Sequence, residues 1–286
     1  MDAYTAFSRV YDRLMENVPY ELWAEKIDRF IKEYGISKPC RDATDPLESE
    51  RNLVLDLGCG TGKLTRLMYD KGYDMIGIDI SPEMLEIARS KSGNLDVECD
   101  LYNEKIAKSQ EDEILYICQD MCELDLYSTV GTVISTCDSI NYLLEDEEIM
   151  ACFEGVSKFL YPGGLFIFDF NTVYKYRDVI GETTIAENDE DVSFIWENFF
   201  DEEEGINEID LTLFIKSETD DNLFIKEEEV HCQRGYTYSQ ICGYLKKAGL
   251  SVVKAVDERK LGEAESGAEY VEGFDTAERI FVIAKK

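Results

Sequence analysis

The sequence predicts an α/β fold: a mostly parallel seven-stranded sheet with helices on both faces, an N-terminal helical cap and a small inserted antiparallel sheet. Three observations carry this. Apolar β-type runs and helix-like segments alternate from Leu53 to Phe170, the pattern of successive crossovers in a parallel sheet. The run Asp56-Leu57-Gly58-Cys59-Gly60-Thr61-Gly62-Lys63-Leu64 joins a strand to a helix through glycines at alternate positions. After Asn171 the pattern changes to long β-rich segments separated by acidic or glycine turns.

The elements follow in order. Phe7, Val10 and Leu14, then Leu22, Trp23, Ile27, Phe30 and Ile31, recur near helical spacing and are divided by Pro19, so two helices open the chain. A polar stretch from Pro39 to Glu50 separates them from the first strand, Asn52 to Asp56. Asp74 to Asp79 is the second strand, and Ser81-Pro82-Glu83 starts a helix with serine as cap and proline in the first turn. Polar residues from Ser92 to Asp112 read as a surface loop. Strands three to five are Ile114 to Gln119, Val130 to Thr136 and Leu165 to Phe170, the last preceded by a turn at Pro162-Gly163-Gly164. In the next region Ile209, Leu211, Leu213 and Ile215 alternate with mostly polar residues, as a half-exposed antiparallel strand does. Val192 to Phe200, Ile206 to Lys216 and Leu223 to Cys232 make a three-stranded insertion. A helix from Thr237 to Ala248 stops at Gly249, and strands Ser251 to Asp257 and Arg279 to Ala284 finish the sheet. The division is therefore a cap and linker over 1–50, a core over 51–171 and 236–286, and an insertion over 172–235.

A glycine turn between strand and helix leaves backbone amides free and lets a ligand approach where a Cβ would collide. Asp79 ends the next strand about twenty residues later, where a carboxylate can accept from the vicinal hydroxyls of a ribose. Together they form an arrangement for gripping a nucleoside. A dinucleotide site needs G-x-G-x-x-G, whereas here the third glycine, Gly62, comes one residue early. Asp56 precedes the loop, where a carboxylate repels a pyrophosphate and holds a cationic amino group. An NAD-linked oxidoreductase is thereby disfavoured.

Composition narrows the function further. The chain has 286 residues and a net charge of −32, with 61 acidic against 29 basic side chains, so phosphate-backbone partners are not expected. The acidic runs Asp189 to Asp191, Asp201 to Glu204 and Glu227 to Glu229 are expected to face water. Nine scattered cysteines without a C-x-x-C pair read as reduced thiols. The single histidine, His231, leaves no zinc constellation and no conventional catalytic triad. No long apolar run suggests a membrane span, and Met1 to Thr5 lacks the look of a secretion signal, so a cytoplasmic location is expected.

V-L-D-L-G-C-G-T-G at Val54 to Gly62 resembles motif I of class I methyltransferases that use S-adenosylmethionine. F-x-x-V-Y-D-x-L-M at Phe7 to Met15, followed by Tyr20-Glu21-Leu22-Trp23, resembles the entrance segment of the YqeM-like group. Sugar N-methyltransferases are similar in architecture, including an antiparallel insertion after strand five. The resemblance implies a Rossmann-like core with S-adenosylmethionine as cofactor. It places Gly58, Gly60, Thr61 and Gly62 around the methionine part and Asp56 near its amino group. Asp79 would take the ribose, Ile80 and Met84 would flank the adenine, and Asp120 and Met121 would meet its edge. The N-terminal helices would cover the cofactor, with Tyr11 holding it. Cys137 would be a wall near the transferred methyl, and Asp138, Asn141 and Tyr142 would be substrate-side residues.

The reading is a methyl transfer to a nitrogen or oxygen of a small molecule, with nitrogen favoured by analogy alone. Proximity and orientation supply much of such a rate, so a dedicated base is optional. If one acts, Tyr11, Asp138 and His231 are the candidates. A noncatalytic binding protein that keeps the pocket as a sensor or scaffold is the alternative. The partner is then the small-molecule acceptor, and a homodimer through the insertion is a further expectation.

Overall fold

A computed structural model describes residue 4 and residues 6–40, 49–91, 114–217, 219–220, 222–262 and 274–286. The expected loop over 92–112 and most of the linker before the first strand lie outside the described residues. Helices α1 (Phe7–Leu14) and α2 (Tyr20–Tyr34) part at Pro19, as the sequence predicts. A single turn, α3 (Ser49–Asn52), leads into β1 (Leu53–Leu57). Then come α4 (Lys63–Asp70), β2 (Asp74–Asp79), α5 (Pro82–Lys91), β3 (Leu115–Cys118), β4 (Val130–Ser135), α6 (Asp146–Phe159) and β5 (Leu160–Asn171). The second sheet holds β6 (Thr184–Asn188), β7 (Val192–Asp201), β8 (Ile206–Lys216) and β9 (Phe224–Arg234). The chain closes with α7 (Tyr238–Lys247), β10 (Ser251–Asp257) and β11 (Arg279–Lys285).

The main sheet runs β10-β11-β5-β4-β1-β2-β3. The first five strands pair in parallel, and β11 runs antiparallel to both β5 and β10. Both faces are covered, so its central strands read as continuous apolar runs. Leu55, Val133, Phe166 and Phe168 pack toward α6 and α7 on one face. Val54, Ile134, Leu165 and Ile167 pack toward α2, α4 and α5 on the other. The Pro162-Gly163-Gly164 turn lies inside β5 and not before it. There the pairing jumps from Val130–Leu160 to Thr132–Leu165, so the extra residues bulge while β5 keeps its partner.

The insertion has four strands where the sequence suggested three. Every residue of β6 is exposed, so it carries no apolar alternation by which to read it. The inner face of this sheet takes up α1: Phe7 and Val10 pack with Val192, Ile209, Leu211 and Leu213. At the opposite corner Arg13 bridges Asp189 and Asp191.

Glu229 corrects the expectation that its acidic run faces water. It is only 2% exposed. Its register opposite Leu211, like that of His231 opposite Ile209, puts it on the inner face. There its carboxylate accepts from the backbone N–H groups of Tyr4 (2.9 Å), Ala6 (2.6 Å) and Phe7 (2.9 Å). The first turn of α1 has no acid of its own, and its unpaired amides carry the positive end of the helix dipole. Glu229 supplies the missing negative charge from another sheet.

Replacing Glu229 with alanine leaves these buried donors unpaired, and a loss of about 2–3 kcal/mol is expected. Hydrogen exchange should accelerate across residues 6–14 while the main sheet stays protected. Unchanged exchange in α1 refutes the clasp.

Candidate active site

A cavity of about 640 Å³ opens at the C-terminal ends of β1, β2 and β4. The strand order reverses between β4 and β1, and ligands of open α/β sheets bind beside such a switch point. The volume lies within the ordinary range for small-molecule sites.

The glycine loop forms one wall. Gly58, Gly60 and Gly62 all have left-handed backbones, with φ of 74°, 54° and 73°, a region other residues enter only at a cost. At Gly58 a Cβ would lie 2.7 Å from Ser139 Oγ, whereas a Cβ at Gly60 would meet nothing within 4 Å. Gly60 thus presents bare backbone to open space. Gly62 departs from expectation: it faces an outer groove with Arg66 and Lys91 and does not line the cavity. Its part is packing, since a Cβ there would lie 2.5 Å from Tyr116 Oη.

Asp79 turns toward the loop. Its Oδ2 accepts from Gly60 N–H at 2.7 Å and its Oδ1 from Ser81 N–H at 2.9 Å. A carboxylate has about four acceptor positions, so each oxygen keeps capacity for a ligand hydroxyl. Burial raises the Asp79 pKa, and the backbone donors oppose that rise. Asp56 also lines the cavity and accepts from the Thr65 hydroxyl at 2.6 Å. Burial pushes its carboxyl up to about 7.

Toward the rim, Ile80 is 64% exposed beside buried Met84. Asp120 caps the turn after β3 by accepting from Cys122 N–H at 2.8 Å, and Met121 follows it along the wall. An exposed isoleucine at a cavity mouth leaves an apolar shelf for a flat ring.

The turn after β4 is strained, because consecutive non-glycine residues Cys137 and Asp138 have φ of 58° and 52°. Such backbones persist only where their surroundings impose them. Asp138 N–H donates to Asp169 Oδ2 at 3.1 Å. Arg279 grips the Asp138 and Asp169 carboxylates at 2.6 and 2.5 Å, and Gln233 Nε2 donates to Asp138 at 2.6 Å. The twist aims Cys137 into the cavity and Asp138 out of it. Asp138 therefore does not join the acceptor wall as the sequence suggested. Its carboxylate is spent on the buried guanidinium.

Asn141 is likewise off the lining. It is fully buried, donates to the Asn171 and Arg234 carbonyls and accepts from Asn171 N–H at 2.8 Å. It ties the turn after β4 to β5 and β9. Tyr142 does line the cavity, whereas His231 stands behind it, with Nδ1 3.2 Å from Tyr142 Oη.

Tyr4 before α1, Tyr11 of α1 and Tyr20 at the start of α2 close the remaining side. Burial raises the pKa of all three phenols. Asp12 docks α1 on the glycine loop, accepting from Thr61 Oγ1 at 2.6 Å and pairing with Lys91. Tyr4, Tyr20, Gln233 and Glu229 escaped the sequence reading. Tyr4 precedes the first helical pattern, Tyr20 opens a helix whose pattern equally describes core, and the last two are polar residues in a strand whose inner face could not be assigned. Among the described residues no cluster of side chains could hold a metal ion, and no helix is long and apolar enough to cross a membrane.

Residues 54–164 match the model of a methyltransferase domain family. Over 283 residues the chain is 31% identical to a candidate methyltransferase of Geobacillus sp. strain WCH70, covering 99% of both chains. It is 28% identical to the candidate methyltransferase YqeM of Bacillus subtilis strain 168, covering 99% of this chain and 97% of that one. A solved S-adenosylmethionine-dependent methyltransferase from Clostridium acetobutylicum superposes with a TM-score of 0.76 at 27% identity, over 99% of each chain. At 15% identity the sugar N-methyltransferase KedS8 from Streptoalloteichus shares the fold, with a TM-score of 0.66 over 100% of this chain and 93% of its own. With the glycine loop, its facing aspartate and the full-length match agreeing, the chain belongs to the class I methyltransferases that use S-adenosylmethionine.

Proposed function

We propose that the protein moves a methyl group from S-adenosylmethionine to a nitrogen or oxygen of a small molecule, with nitrogen the favoured acceptor atom. The observation that carries the cofactor's placement is the Asp79 carboxylate, fixed by Gly60 and Ser81 amides on the cavity wall. Its spare acceptor positions suit the ribose hydroxyls. Ile80 and Met84 flank the adenine, and Asp120 and Met121 meet its edge. The bare backbone at Gly60 and the buried Asp56 receive the methionine end, where the carboxylate faces a cationic amino group. When bound, the cofactor supplies a methyl group made electrophilic by its sulfonium.

The chain's own residues do the rest by holding the acceptor in line and excluding water. Cys137 and the cavity tyrosines form that chamber under α1. An acceptor that fits beneath this short helix is small, and the net charge of −32 argues against a nucleic acid. The likeness in fold to KedS8, a sugar N-methyltransferase, supports nitrogen as the acceptor atom. In this reading residues 51–171 and 236–286 carry the cofactor, while 1–50 and 172–235 enclose the acceptor.

Removing the carboxylate in Asp79→Ala is expected to weaken S-adenosylmethionine binding by roughly 100-fold or more, since charged hydrogen bonds are worth about 1.5–3 kcal/mol each. Calorimetry decides it, and an unchanged affinity sinks the assignment. Incubating the enzyme with a small-molecule extract and methyl-labelled S-adenosylmethionine should yield metabolites one methyl heavier by mass spectrometry.

Asp56→Asn separates binding from stability. The folded pKa of Asp56, about 7, lies above the ordinary carboxyl value. Its contribution therefore favours folding below pH 4 and is lost as pH rises toward 7. The amide variant should be more stable than wild type at pH 8, on the order of 2 kcal/mol, and should bind S-adenosylmethionine more weakly. Denaturant titrations at pH 5 and pH 8 check the first effect, and equal stability differences at both contradict it.

A further inference from the structure

β9 is turned inside out for a strand of a small sheet. Its inner-face residues Glu229, His231 and Gln233 are polar and buried, while Val230 between them is 48% exposed. Gln233 is accounted for by Asp138 and Tyr176, and Glu229 by the start of α1. His231 remains. It is the single histidine of the chain, it is 4% exposed, and it lies directly behind a cavity-lining phenol.

The contacts form a directed chain. Tyr4 Oη donates to Tyr142 Oη at 2.6 Å. In the arrangement that makes a relay, Tyr142 donates its own proton to His231 Nδ1, 3.2 Å away, and that ring nitrogen is the unprotonated one. The proton of a neutral ring consequently sits on Nε2, which points into the interior toward Glu229 Oε2 at 3.3 Å. This contact lacks hydrogen-bond alignment, and among the described residues Nε2 has no hydrogen-bond partner. The positive charge that a second proton gives the ring would thus be met by a carboxylate already in place. The ring is packed edge-on against Tyr4 and Phe7, with centroids at 5.0 and 5.8 Å, so it cannot swing to another partner without moving α1.

We propose that Tyr4 and Tyr142 conduct the acceptor's proton from the cavity to His231, with Glu229 as the positioning residue that selects the receiving tautomer. The inference rests on the methyl-transfer reading above. As the acceptor's lone pair forms its bond to the methyl carbon, the electron pair of the broken carbon–sulfur bond stays on sulfur. The acceptor then sheds one proton to a phenol oxygen, the phenol passes its own proton onward, and His231 Nδ1 takes it. After product leaves, the proton returns along the same phenols to water entering the cavity. No oxidant or further reactant is required.

Neither Asp138 nor the Tyr20–Cys137 pair provides this exit. Asp138 is held by Arg279 and Gln233 outside the lining. Tyr20 Oη meets Cys137 Sγ at 3.2 Å, and that thiol, pushed up to about 12 chiefly by burial, has no need of a proton it already holds. Among the described residues the Tyr4–Tyr142 pair is the route from the cavity to the chain's single imidazole.

The lone histidine makes the test a one-site measurement on the full chain. With ¹⁵N-histidine labelling and S-adenosylhomocysteine bound, the nitrogen shifts should show a neutral ring protonated at Nε2, with Nδ1 accepting. In Glu229→Gln this tautomer preference should weaken. A ring protonated at Nδ1 in the wild type overturns the proposal. With methyl-labelled S-adenosylmethionine and the small-molecule extract, Tyr142→Phe and His231→Gln should each transfer label roughly 100-fold more slowly. Their dissociation constants for S-adenosylhomocysteine should stay within about twofold of wild type, as a role confined to the proton path requires. Full-rate transfer by a folded His231→Gln overturns the relay. Tyr4→Phe serves as the second variant if Tyr142→Phe fails to fold. Should the wild type bind S-adenosylhomocysteine yet label nothing, the small-molecule acceptor is wrong, and the tautomer result alone upholds or rejects the relay.

Discussion

Carboxylates buried or half-buried around the cavity have to be met by donors, because an uncompensated charge taken out of water costs several kcal/mol. Each of them is met by a different segment, and each meeting holds that segment in place. Asp79 draws in the Gly60 and Ser81 amides, Asp120 the Cys122 amide, and Glu229 the start of α1. Arg279 joins Asp138 to Asp169. The loops that wall the cavity are held by the acids beneath them as well as by apolar contact.

This explains how the antiparallel strand β11 influences the site. Arg279 is the first residue of β11, whose pairing with β5 sets it opposite Asn171. From there its guanidinium reaches the strained turn after β4 and supports left-handed backbones at Cys137 and Asp138. The strain aims the thiol at the cavity and the carboxylate away. A lysine has the charge without the planar fork and would hold one of the two acids poorly.

The insertion contributes through its inner face. Its apolar residues pack α1, and its polar ones hold α1 by the helix start and stand behind Tyr142. α1 is thus fastened to the second sheet at Glu229 and Arg13 and to the glycine loop at Asp12. A helix of 8 residues has little stability of its own, so the cover over the cavity exists only through these attachments.

Local pattern alone determined the alternating α/β core, the glycine loop and the acid opposite it. Strand runs, left-handed glycines and a strand-ending aspartate are set by neighbours a few residues away. The resemblance to class I methyltransferases added Tyr11, Ile80, Met84, Asp120, Met121, Cys137 and Tyr142, which line the cavity with Asp56 and Asp79. Asp138 and Asn141 lie off the cavity lining, held by Arg279 and Asn171, residues brought close only by pairing in the sheet. Local pattern sent Glu229 to water, since an acidic run looks solvated until a helix N-terminus is laid against it. The β6 strand left no mark because none of its side chains is buried. Which polar residues face inward, and which acid meets which donor, was decided by tertiary structure, because electrostatic compensation joins groups more than a hundred residues apart and leaves no periodicity along the chain.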